Sequence, residues 1–221
     1  MKKITKIEYQ KKSKDRVSIY LDDNYAFGID LNIMIKYSLK KNMELEDDFI
    51  SEILKAEDEI SAYNYAISVL SRNQKSEKQL RQKMQDKGYD PQFIENAITK
   101  LKQQKYIDDE RYSEMFINDK INISKDGKLK IKEALKSKGI DRLIIDEKLQ
   151  EITTDDEIKR AYLLGNKKLK SIKEEDTRKK RVKLANYLIT KGFEYAAVKK
   201  AVSKLLDSSS DDFEEFDDFE E

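Results

Sequence analysis

Three groups of residues in this chain have types and spacing that invite a chemical reading. Asp108, Asp109 and Glu110, within "YIDDERYSEMF", bring three carboxylates together, as a cation site or an acid–base pair would require. The same residues suit the first turn of a helix, where the backbone dipole favours anions, and that is the expectation adopted. "KDGK" at Lys125 to Lys128 combines glycine with lysine but lacks the longer glycine-rich frame that cradles a phosphate. The third group is a run of cations: Lys159, Arg160, Lys167, Lys168, Lys170, Lys173, Arg178, Lys179, Lys180, Arg181, Lys183 and Lys191, against only Glu174, Glu175 and Asp176. Such density is what phosphate neutralisation uses, and a solvated helix face is the competing reading. The candidate contacts with a polyanion are Lys167, Lys168, Lys170, Lys173, Arg178, Lys179, Lys180, Arg181 and Lys183.

Composition removes most other chemistry. There is no cysteine and no histidine, which excludes a disulfide framework, a Cys/His zinc site, a thiol nucleophile and a histidine base. No catalytic constellation, cofactor or metal site is expected, and the chain does not read as an enzyme. "MKKITKIEYQKKSKDR" has no apolar signal region, and no later stretch approaches the ~20 apolar residues that span a bilayer, so a cytoplasmic protein is expected. The net charge of +1 hides two opposed parts: nine of the 44 acidic residues lie in "DSSSDDFEEFDDFEE" at 207–221, leaving residues 1–206 with 45 basic and 35 acidic groups. A basic body suggests a polyanionic partner. The tail reads as disordered, with Phe213, Phe216 and Phe219 spaced every three residues; a second reading is an acidic, aromatic mimic of nucleic acid that folds back on the body or engages another protein's basic groove.

The elements that would position these groups are mostly helical. Forty per cent charged residues, one proline and six glycines favour long amphipathic helices, so a mainly α, elongated protein is expected. The first thirty residues differ, with period-two apolar positions at Val17, Ile19 and Leu21 before Asp22, Asp23 and Asn24. They predict a β-hairpin or three-stranded ribbon that packs on a short helix from "LNIMIKYSL". Residues 47–74 contain neither proline nor glycine and predict one long helix or two shorter ones.

From there the chain repeats. Lys87-Gly88, Lys138-Gly139 and Lys191-Gly192 place glycines 51 and 53 residues apart, a period that marks stacked helical units. Leu80, Ile131 and Leu184 precede each lysine by seven, and Met84, Leu135 and Leu188 by three. Tyr89, Ile140 and Phe193 follow each glycine, and further on Ile94, Ile145 and Val198 correspond, as do Ile98, Leu149 and Val202. Each glycine reads as a left-handed helix stop whose following apolar residue packs back on the finished helix and forward on the next. Gly88, Gly139 and Gly192 are therefore structural turns. The helices after them open "DPQFIENA", "DRLIIDEK" and "EYAAVKKA", acidic or apolar where a major-groove reader needs Arg, Lys, Asn or Gln, so base-specific reading is not expected. The organisation is a β-hairpin plus short helix at 1–46, three three-helix repeats at 47–104, 105–153 and 154–206, and the tail at 207–221.

"SEKQLRQKMQDKGYD", "YIDDERYSEMFINDK" and "GKLKIKEALKSKGID" resemble, in order, the signature segments of the RecX family of bacterial regulatory proteins. The resemblance covers roughly Ile60 to Leu206, with an N-terminal hairpin like that of Gram-positive members, and does not include the tail. It implies a modulator that binds the RecA recombinase filament on DNA along its helical groove. It further implies inhibition of ATPase, strand-exchange and coprotease activity, and a role in recombination, DNA repair and the SOS response. A monomer with weak, sequence-independent nucleic-acid affinity and no membrane partner is expected. A DNA-binding protein acting without a recombinase, and a helical scaffold for protein partners, are the alternatives.

Overall fold

The structure, a computed structural model, describes residues 1–11 and 13–206; the acidic tail lies outside them. Two compact units divide after Ile107. The first begins with β1 (Lys2–Gln10), β2 (Ser13–Leu21) and β3 (Asn24–Asp30), then α1 (Leu31–Lys36) and the two-residue β4 (Glu44–Leu45). All pairs are antiparallel, in the order β3-β2-β1-β4. Asp22 and Asp23, at φ of 49° and 65°, make the positive-φ two-residue turn that matches the twist of a hairpin. The ribbon read from sequence is thus present, extended by β4. Val17, Ile19 and Leu21 point into a core shared with Ile4, Ile29, Ile33 and Leu45.

One uninterrupted helix, α2 (Asp47–Arg72), follows. Its first half, through Phe49, Ile50, Ile53 and Ile60, packs on the sheet. Its second half, through Ala62 and Ala66, packs on α3 (Glu77–Asp86) and α4 (Pro91–Gln103). Asp30 ties the two parts together: its backbone N–H donates to Glu57 Oε2 at 2.6 Å, and Asn64 donates to its side chain at 3.3 Å. Arg16 Nη1 lies 2.7 Å from Glu57 Oε1. Burial nevertheless pushes the Glu57 carboxyl above the ordinary range.

The second unit holds α5 (Asp109–Asp119), a π-helical turn (Lys120–Ser124), α6 (Lys128–Ser137) and α7 (Arg142–Gln150), then α8 (Thr154–Leu169), α9 (Thr177–Thr190) and α10 (Tyr195–Leu206). Each repeat uses the same stop. Gly88, Gly139 and Gly192 have φ of 90°, 79° and 82°. Tyr89, Ile140 and Phe193 donate backbone N–H to the carbonyls of Met84, Leu135 and Leu188, each at 3.2 Å. With the glycine N–H groups bonded to Gln85, Lys136 and Ile189, this is the Schellman pattern in all three copies. The four aligned apolar sets that begin at Leu80, Met84, Ile94 and Ile98 are at most 2% exposed in every repeat. Caps follow the residues: Ser76 and Gln79 form a capping box, and Asp90 and Asp141 cap α4 and α7.

Candidate nucleic-acid interface

The acidic trio resolves into helix chemistry. Asp108 is the N-cap of α5, accepting from the Arg111 N–H at 2.9 Å, and Asp109 and Glu110 occupy its first turn. Among the described residues no group of three or more acidic side chains is placed to hold a metal ion. A cleft of about 490 Å³ between α5, α7 and α8 has Ile117, Ile121 and Ile152 in its lining. Charges at its wall neutralise one another, Lys148 meeting Glu114 at 2.6 Å. No described helix is long and apolar enough to cross a membrane.

The cation run falls on the third repeat. Lys167 and Lys168 lie in the last turn of α8 and Lys170 is its C-cap, where the helix dipole favours positive charge. Lys173 is exposed in the connection. Arg178, Lys179, Lys180, Arg181 and Lys183 stand on α9, which contains no acidic residue. Lys168 lies 5.3 Å from the Tyr187 ring centre, and Lys183 pairs with Glu174 at 2.6 Å. These contacts hold the stems in place and leave the charge near solvent. Arg181 is different. It is 4% exposed, because its position three before Leu184 and seven before Leu188 turns it toward the core. It therefore leaves the set of surface contacts. Sequence reasoning passed over Lys200 and Lys204, exposed on α10; the absence of any acid from that helix was the available signal.

A second arrangement at the junction of repeats two and three was not foreseen. The amides of Gly127, the N-cap of α6, and of its first two residues find their acceptors on the third repeat: Gly127 N–H donates to Lys191 O at 2.7 Å, Lys128 N–H to Glu157 Oε1 at 2.8 Å, and Leu129 N–H to Gly192 O at 2.9 Å. A helix start normally leaves such donors to a local cap or water. Here the neighbouring turn and a carboxylate from α8 serve instead. The approach is possible because Gly127 and Gly192 lack side chains; a Cβ on either would overlap backbone of the other segment. Glu157 is 1% exposed, and burial raises its pKa against the opposing effect of the Lys128 amide. Arg160 donates to the Asp126 carbonyl at 3.1 Å and lies 5.8 Å from the Phe193 ring centre. "KDGK" is thus the joint between two repeats.

Comparison with known proteins places these features in a group. Family models match at residues 2–46 (Regulatory protein RecX N-terminal domain), 62–101 (RecX, first three-helix domain), 108–149 (RecX, second three-helix domain) and 155–202 (RecX, third three-helix domain). The chain is 36% identical to Regulatory protein RecX of Clostridioides difficile (strain 630), covering 97% of this chain and 98% of that one. Identity to Regulatory protein RecX of Clostridium beijerinckii is 37%, over 96% and 100%. Among solved structures, a crystal structure of regulatory protein RecX superposes with a TM-score of 0.74 at 30% identity, covering 95% of this chain and all of that one. RecX from Lactobacillus salivarius gives 0.64 at 28% identity, over 68% and 97%.

Proposed function

This chain belongs to the RecX family of regulatory proteins, and on that premise we propose that it acts on the RecA recombinase filament assembled on DNA. It restrains the filament's ATPase, strand-exchange and coprotease activities in recombination, repair and the SOS response. It does so as a cytoplasmic monomer without catalysis of its own. The observation that carries this reading is the concentration of cations on α9, a helix with no acidic residue of its own, together with those in the last turn of α8 and on α10. Phosphates lining a protein–DNA filament are a ligand for such a surface. Contacts are assigned to Lys167, Lys168, Lys170, Lys173, Arg178, Lys179, Lys180 and Lys183, with Lys200 and Lys204 added and Arg181 removed. Many weak contacts along an array of repeats give affinity without any single decisive residue.

The test is recombinase ATPase rate and filament length against protein concentration, at two salt concentrations and with DNA in excess. The expected result is inhibition and shortened or rearranged filaments at amounts below one per recombinase subunit. Unchanged ATPase and filaments at saturation would remove the proposal. The same cationic surface favours a second reading, direct DNA binding without a recombinase. In that case inhibition would track occupancy of the DNA, vanish when DNA is in excess and fall steeply with salt.

A further inference from the structure

The solvent side of α9 is chemically mixed. Lys179, Val182, Lys183, Asn186 and Ile189 stand at helix positions i, i+3, i+4, i+7 and i+10 and form one stripe, opposite the core-facing Arg181, Leu184 and Leu188. Val182 is 38% and Ile189 44% exposed, although this helix already buries an apolar side. Arg178 and Lys180 flank the stripe, and Asp176 caps the helix start, accepting from the Arg178 and Lys179 amides, so the positive character of the stripe comes from its side chains. A surface built for phosphate alone has no use for exposed aliphatic residues, and one built for an apolar partner would not gather cations. The ligand this stripe fits alternates apolar groups with anions.

Such a segment exists in the same chain. Residues 207–221 carry nine carboxylates, three phenylalanines and no cation. We propose that this tail is an internal competitor, occupying the α9 stripe and withholding it from external polyanions. The inference rests on reading this surface as a polyanion site. Distances permit it. Val182 and Ile189 are seven residues apart on a helix, about 10 Å, and three residues of chain, the spacing of Phe213 to Phe216 or Phe216 to Phe219, reach about the same length. Acidic pairs between the phenylalanines, Glu214-Glu215 and Asp217-Asp218, then fall beside Lys179, Lys180 and Lys183. The described chain ends at Leu206, which packs against the core cluster containing Leu184 and Leu188 of α9, and the six residues before Phe213 extend to about 20 Å, enough to pass around a helix about 10 Å across to its solvent side. Its covalent attachment supplies an effective concentration of millimolar order, enough to make a weak contact count.

The experiment compares the full chain with a full-length variant in which Asp211, Asp212, Glu214, Glu215, Asp217 and Asp218 become amides. The probe is a mixed-sequence single-stranded 30-mer followed by fluorescence anisotropy, with backbone amide NMR spectra recorded in parallel. Neutralising the tail should tighten DNA binding by about fivefold to tenfold at low salt, with the gap closing at high salt. Amides of Val182, Lys183 and Ile189 should shift between the two proteins without DNA. Val182→Ser with Ile189→Ser should shrink the affinity gap between the two tail forms. Equal affinities, or a gap with no α9 shifts that survives the serine pair, would overturn the proposal; the latter would mean general charge repulsion. Loss of recombinase inhibition with unaltered DNA affinity and no α9 shifts would assign the tail to another protein, overturning it too. DNA binding by neither form refutes the polyanion reading of the surface, while the α9 shifts still decide where the tail sits.

Discussion

Replacing Gly127 by alanine adds one methyl group where two backbones meet, and its effect can be worked out from the structure. Gly127 has φ of −82°, a value any residue adopts, so alanine brings no conformational penalty there. Its Cβ, however, would fall closer than 3.0 Å to the Gly192 carbonyl group and the Phe193 nitrogen. Neither is the end of a flexible side chain, so the junction must open. Opening breaks the hydrogen bonds that the Gly127, Lys128 and Leu129 N–H groups donate to the third repeat. At roughly 0.5–1.5 kcal/mol for each hydrogen bond, a net figure that already includes rehydration of the freed groups, the expected loss is about 1.5–4.5 kcal/mol. Gly88→Ala is the matched control. Nothing lies within 4 Å of its Cβ and φ is 90°, so it measures left-handed strain alone, about 1 kcal/mol. Because the chain has two units, global unfolding need not be two-state, and amide exchange is the better assay. Gly127→Ala should lose protection at residues 127–129 and across α8 to α10, whereas Gly88→Ala should lower protection in α3 and α4 only. A Gly127→Ala protein within about 0.5 kcal/mol of the parent, the ordinary surface scatter, with amides 127–129 still protected, would refute the account of this joint.

Glu157→Gln keeps an acceptor for the Lys128 amide and removes a carboxylate whose pKa is raised by burial. Native protein binds the extra proton between the unfolded and the raised native pKa, so stability should fall as pH rises through that window. The glutamine variant should flatten this dependence and be no less stable at pH 7, whereas Glu157→Ala should lose about 1–3 kcal/mol; urea unfolding across acidic to neutral pH checks both. Lys179→Ala with Lys180→Ala should lower the slope of log affinity against log salt by about 1.4–1.8, at ~0.7–0.9 per phosphate contact, and leave stability unchanged. Arg181→Ala should do the reverse, lowering the melting temperature because the side chain is buried, with the salt slope retained. Ser76→Ala should cost about 1 kcal/mol through loss of the capping box on α3, read as faster exchange at that helix start.

Local rules carried much of this fold. Val17, Ile19 and Leu21 announced a strand by alternation, and each Lys-Gly pair announced a stop whose glycine φ then came out positive. These features depend on neighbours a few residues away, and so were legible. Arg181 was legible too, since its phase relative to Leu184 and Leu188 points inward, but its charge suggested the surface. The short β4 was not legible, for two residues hold no period. Nor was the role of Gly127: its partner Gly192 is remote in sequence, and only the third dimension makes them neighbours. The surface cations lie between these cases, since helix phase gives their direction and no local rule says what they meet.

Helix α2 bears on how this chain can be taken apart. Family models end one segment at residue 46 and begin the next at 62, and the stretch left between them is the half of α2 that covers the sheet. A fragment starting at Asp47 would carry Phe49, Ile50 and Ile53 into water with nothing to lie on. One starting near Ala62 would drop that burden but cut α2 in mid-course, leaving its first amides bare. Protease sites and recombinant boundaries in this half of the molecule should therefore avoid α2 altogether. The first three-helix repeat has no severable edge on its N-terminal side, and any lineage that discarded the sheet would have had to resurface this helix as well.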